Sequence, residues 1–163
     1  MKIIYNMSLS EFIRTMPEKD FARENAEKFL PSQLDMLEGQ FDTFSMNFEL
    51  NYDDVYDWFA YDYEDIAEWL SFESFDDMVK WNDTIRKVMK VDNIKEKATE
   101  SIKKMQETES GSLDLVDKNF DLLLGGIIAD VYRYDDDYRP FSEDILYAVL
   151  DEIEFEENGE IAH

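Results

Sequence analysis

The chain has 163 residues, with 40 Asp and Glu against 16 Lys and Arg, for a formal net charge of −24. That length suits one domain, or two small ones, with a hydrophobic core, and 12 Phe, 9 Tyr and 3 Trp separate it from acidic disordered chains, which are poor in aromatics. The charge excludes partners recognised through cation neutralisation of phosphates, nucleic acid and anionic membrane alike.

Helix signals dominate in chain order. Ser8 and Glu11 have capping-box spacing and open a short helix that stops near Pro17. A second helical stretch from about Glu18 is expected to bury Phe21, Ala22, Phe29 and Leu30, with Pro31 ending or restarting it. From Thr43 to Leu50 the period shifts, because Phe44, Met46, Phe48 and Leu50 alternate with Ser45, Asn47 and Glu49 in a strand pattern. That segment can pair with Lys2–Tyr5. Tyr52, Val55, Phe59, Tyr63, Ile66 and Leu70 then follow helical steps along one face. Ser74, with Asp76 and Asp77 in the first turn, starts a helix carrying Phe75, Met78, Val79, Ile85 and Val88. Asp92 reads as the cap of a third, Asn93 to about Glu107, which runs into the linker-like Ser110-Gly111-Ser112. Leu113–Tyr134 reads as helix interrupted or bent at Gly125-Gly126, through a bend or close packing. Ser142 reads as the cap of a last helix with Ile145, Leu146, Val149, Leu150 and Ile153 inward, and the tail from Asn158 to His163 is expected to fray. The expected fold is mainly α and bundle-like, with a small two-stranded β element near the N-terminus as an option and α+β as the alternative class. It forms one domain, 1–163, with a candidate subdivision near 109–112.

The absence of Cys removes disulfides and thiolate chemistry, in keeping with a reducing compartment. After Lys2 the apolar run Ile3-Ile4-Tyr5 stops at Asn6, too short for a secretory signal. The longest uncharged apolar stretch, Leu122 to Ala129, is far short of a membrane span. The expectation is a soluble cytoplasmic protein, in the host cytoplasm if phage-encoded, with no membrane partner.

Catalytic patterns are weak. Asp53-Asp54-Val55-Tyr56-Asp57 spells the D-D-x-x-D by which isoprenoid synthases hold magnesium and a diphosphate. Residues 29–79, however, contain no Lys or Arg to grip the phosphates, and no second motif follows. The acidic loop from Asp135-Asp136-Asp137 fails as an EF-hand, since its fifth and sixth positions are Arg139 and Pro140. The single histidine, His163, is terminal, so no triad or His-based metal motif can be assembled. No metal or other cofactor and no enzymatic activity are expected. Trp58, Trp69 and Trp81 adjoin apolar stripes and read as core or core-edge residues rather than interface anchors.

The arrangement of acids is the informative feature. Residues 29–79 hold 14 acids and no cation, residues 80–104 hold 8 cations against 4 acids, and residues 105–163 hold 17 acids against 3 cations. Two acidic blocks thus flank a basic insert. The insert reads as a helix pair laced by intrahelical pairs such as Asp83–Lys87 and Glu100–Lys104. Opposite the apolar stripe of 52–70, Asp54, Asp57, Tyr61, Glu64, Asp65 and Glu68 recur at helical steps. The last helix repeats the device with Asp144, Asp151 and Glu154 on one stripe and Glu152, Glu156 and Glu157 beside it. An ordinary solvated face mixes both signs, and halophilic adaptation would spread acids throughout. Twenty-four charges match those of about 41 Å of duplex, roughly 12 base pairs.

In charge, size and aromatic content, the blocks 29–79 and 105–163 resemble phage and mobile-element DNA mimics, including anti-restriction and anti-CRISPR proteins. No motif is shared. The resemblance implies a non-enzymatic inhibitor that occupies the basic DNA channel of a defence nuclease, where carboxylates would satisfy arginines by bidentate pairing. The candidate partner-binding residues are Asp53, Asp54, Asp57, Glu64, Asp65, Glu68, Asp76 and Asp77. Asp135, Asp136, Asp137, Asp144, Asp151, Glu152 and Glu154 form a second group. The alternative is an immunity or antitoxin-type protein capping one basic toxin. A metal-dependent enzyme is the third reading, and a homodimer joining the basic insert to an acidic block of a second copy stays open.

Overall fold

A computed structural model describes residues 7–45, 51–107, 118–132 and 142–159. Among the described residues every regular element is a helix: α1 Leu9–Thr15, α2 Phe21–Ala26, α3 Pro31–Ser45, α4 Tyr52–Ala60, α5 Tyr63–Trp69, α6 Phe75–Met89, α7 Ile94–Gln106, α8 Lys118–Tyr132 and α9 Ser142–Gly159. The fold is mainly α. The chain divides into two compact units, Met1–Val79 and Lys80–His163, with the division inside α6. The candidate linker at 109–112 lies outside the described residues, as do Lys2–Tyr5 and residues 46–50 of the expected strand. Thr43–Ser45 form the last turn of α3, so helix continues where strand alternation was expected to begin. The spacing of Leu34, Leu37 and Phe41 sets a helical period there, and Leu37 and Phe41 are fully buried.

The first unit is built on aromatic rings and polar caps. Ser8 and Glu11 close the expected capping box on α1. Pro31 takes the first position of α3, where its missing N–H costs nothing, and Gln33 Oε1 accepts from the Leu30 N–H at 2.9 Å. Phe59 of α4 sits at the centre, with ring centroids 5.7 Å from Phe29 and 6.4 Å from Phe41. Phe41 stacks on Trp58 at 4.4 Å, and Trp58 meets Trp69 edge-on at 6.0 Å. Both tryptophans are partly buried against this core, the place expected for them. Phe21 departs from expectation: it is 48% exposed.

The expected continuous helix 52–70 is broken. Tyr61 leaves helical geometry (φ −127°, ψ −34°), and its N–H donates to the Asp57 carbonyl at 2.8 Å as α4 ends. The break lets Val55 and Phe59 on α4 and Ile66 on α5 all reach zero exposure in one core. α5 then closes in a Schellman motif, with Phe72 N–H donating to the Ala67 carbonyl at 3.0 Å and Ser71 N–H to Glu68 at 2.9 Å. Ser71 occupies the left-handed position of that motif, at φ 71°.

In the second unit the core is mainly aliphatic. α7 packs on α9, and Ile85, Val88, Ala98, Leu124, Ile145 and Val149 are buried. Asn93, not Asp92, is the residue before α7; it is left-handed (φ 56°) and makes no side-chain cap bond. α8 runs unbroken through Gly125 and Gly126, where an added Cβ would meet nothing within 4 Å. These glycines are exposed and closely packed against nothing among the described residues. α9 begins at Ser142 itself, so the residue expected to cap the helix is its first member, and it continues through Asn158. No helix among the described residues is long and apolar enough to cross a membrane.

Candidate protein-binding surface

Two populations stand out among the carboxylates of the first unit. One set accepts backbone N–H groups at helix starts, where the helix dipole favours negative charge. Asp54 forms a capping box with Asn51, each side chain accepting the other's backbone N–H at 3.0 Å. Glu64 reaches from α5 to accept the Phe75 N–H at the start of α6, at 2.9 Å. Asp20 accepts from Ala22 N–H at 2.8 Å, and Glu38 from Leu9 N–H at 2.5 Å.

The other set is solvated. Asp53 and Asp57 on α4, Asp65 and Glu68 on α5 and Asp76 on α6 are exposed, and none of their carboxylates has a hydrogen bond or ion pair among the described residues. Asp77 is half-buried in the first turn of α6, where its N–H donates to Ser74 Oγ at 3.1 Å, so Ser74 is the cap its position indicated. The break at Tyr61 places Asp54 and Asp57 on a different helix from Glu64, Asp65 and Glu68, so they do not form one continuous stripe. The Glu64–Phe75 bond ties α5 to the start of α6 and with it Asp76. Asp54 and Glu64, both in the expected set, are structural caps.

The second unit treats its acids differently. Lys95 on α7 pairs with Glu157 on α9 at 2.9 Å, Lys104 with Glu100 at 3.4 Å, and Arg86 with Asp83 at 3.7 Å. Lys87, expected to pair with Asp83, instead pairs with Asp130 of α8. On α9, Asp144, Asp151 and Glu154 are exposed as expected. Glu152 is not: it is 2% exposed. It follows Ile145 by seven residues and Val149 by three, which puts it on the buried face of the helix and removes it from the candidate surface. Asp135, Asp136 and Asp137 lie outside the described residues.

Tyr56 marks a polar contact that spacing alone did not single out. Its hydroxyl donates to both oxygens of Asp20, at 3.0 and 2.9 Å. The hydrogen bond to Asp20, reinforced by burial and by that negative charge, pushes the phenol up to about 12. Among the described residues no three Asp, Glu or His side chains gather in a geometry that could hold a metal ion. The D-D-x-x-D match contains Asp54, whose carboxylate caps α4. No family model, no curated protein and no solved structure matches the chain.

Proposed function

We propose that this protein is a non-enzymatic inhibitor that presents nucleic-acid-like charge and occupies the basic DNA-binding channel of a host defence nuclease. One observation carries the reading. In a 51-residue stretch without Lys or Arg, five exposed carboxylates on α4, α5 and α6 have no hydrogen bond or ion pair among the described residues. Left in water beside one another, like charges cost a few tenths of a kcal/mol per neighbouring pair, and a basic partner recovers that cost on binding. Electrostatic steering of such a surface makes association fast and salt-sensitive.

The test is to capture partners from a host lysate on the immobilised protein, elute with a salt gradient and challenge the complex with duplex DNA. The expected result is a nucleic-acid-binding protein released by moderate salt and displaced by duplex. A partner indifferent to both salt and DNA overturns the reading. A partner that is a basic toxin, lost after single Ala substitutions, moves the protein to the immunity class.

A further inference from the structure

We propose that Phe21 and Tyr61 form a docking point for an arginine side chain of the basic partner. The inference rests on the reading of the acidic surface given above and specifies which cation it takes. Phe21 opens α2 and Tyr61 closes α4; they are 48% and 67% exposed. Their rings meet edge-on, with centroids 5.9 Å apart and planes at 63°.

The pair is held in place. Asn25 Nδ2 of α2 donates to the Phe59 carbonyl of α4 at 2.9 Å, and Tyr56 of α4 clamps Asp20 at the start of α2. Two large, exposed rings held at the surface form a preorganised platform. No turn or cap requires an aromatic side chain at either position.

The charge around the rings selects the occupant. Asp57 precedes Tyr61 by one helical turn, Asp62 follows it directly, and Glu24 lies one turn after Phe21; all three are exposed. Of the cations near α2 in sequence, Arg23 already pairs with Glu27 at 2.8 Å and donates to the Met16 carbonyl, while Lys19 and Lys28 are exposed. An apolar occupant would have to strip water from these carboxylates, which is costly. A cation over a ring face gains from the ring quadrupole and from the acids together. A guanidinium is preferred over an ammonium because it is planar, stacks on aromatic faces and is weakly hydrated.

Oligo-arginine and oligo-lysine peptides of equal length separate these terms. In titration calorimetry at one fixed salt concentration, the intact protein is expected to bind the arginine peptide about threefold or more tighter than the lysine peptide. Phe21→Ala with Tyr61→Ala should reduce that preference, weakening the arginine peptide more than the lysine peptide. Phe21→Leu with Tyr61→Leu, which keeps apolar volume and removes the rings, should do the same; circular dichroism of both variants checks folding. Equal binding of the two peptides by the intact protein, or a preference undiminished by loss of the rings, overturns this inference and leaves the acidic-surface reading standing. Binding of neither peptide overturns both.

Discussion

The two units handle the same problem, an excess of carboxylates, in opposite ways. The first has 19 acids and 5 cations, the second 21 and 11. In the second, lysines bridge α7 to α9 and α6 to α8, so part of its acidity is spent on holding helices together. In the first, residues 29–79 offer no cation; some of their acids satisfy the bare N–H groups at helix starts, while Asp53, Asp57, Asp65, Glu68 and Asp76 face water. A surface can stay this negative only if the folding energy comes from elsewhere. Here it comes from the cluster of rings around Phe59 and from capped helix ends.

That contrast is most easily broken at the cores. Phe59→Ala removes the ring that touches Phe29 and Phe41 and should cost about 3–5 kcal/mol in urea unfolding. Leu124→Ala, in the aliphatic core of the second unit, should cost about 2–5 kcal/mol. A loss under about 1 kcal/mol at Phe59 would mean that the rings do not carry the first unit.

The two populations of acids should separate next. Asp54→Ala deletes half of a capping box and should destabilise by about 1 kcal/mol, whereas Asp57→Ala, exposed and unbonded, should stay within about 0.5 kcal/mol. Equal losses in chemical denaturation would erase the distinction between caps and free surface. Ser71→Gly should stabilise the first unit by about 0.5–1 kcal/mol, because glycine occupies φ 71° without the steric cost that serine bears. In the second unit, Lys95→Ala removes a pair whose side chains are 59% and 54% exposed. Its cost should be no more than about 1 kcal/mol and should shrink in high salt.

These sites also show where the sequence was readable. Ser8 with Glu11 and Ser74 with Asp77 were legible because a cap needs a particular side chain at a particular offset from the helix it starts. The helix α3 and the break at Tyr61 were harder. Alternation at Thr43–Ser45 looked like strand, but the period set by Leu34, Leu37 and Phe41 carries the helix to Ser45. No Gly or Pro announces the break, and the apolar steps of α4 and α5 happen to stay in phase across it. The only local signal was Asp62 ahead of Glu64 and Asp65, acids suited to a new helix start. Glu152 was readable and was misplaced: counted against Ile145 and Val149 it falls on the core stripe, despite its neighbours' charge. The exposure of Phe21 comes with the packing of α2 on α4, a tertiary relation that helical periodicity does not encode.

The smallest effect in stability terms is the most specific test of how α2 and α4 are joined. Tyr56 donates to Asp20, and a phenol that donates to an anion resists losing its proton, so its pKa rises from the ordinary 10.0 to about 12. The folded value lies above the unfolded one. The hydrogen bond's contribution is therefore intact below about pH 10 and fades as pH rises from there toward about 12. An ultraviolet titration of the 9 tyrosines should show a late-ionising phenol that is absent in Tyr56→Phe and returned toward the ordinary range by Asp20→Asn. If every tyrosine titrates near its ordinary value, the clamp that sets the start of α2 against α4, and with it the fixed geometry of Phe21 and Tyr61, is not formed in solution.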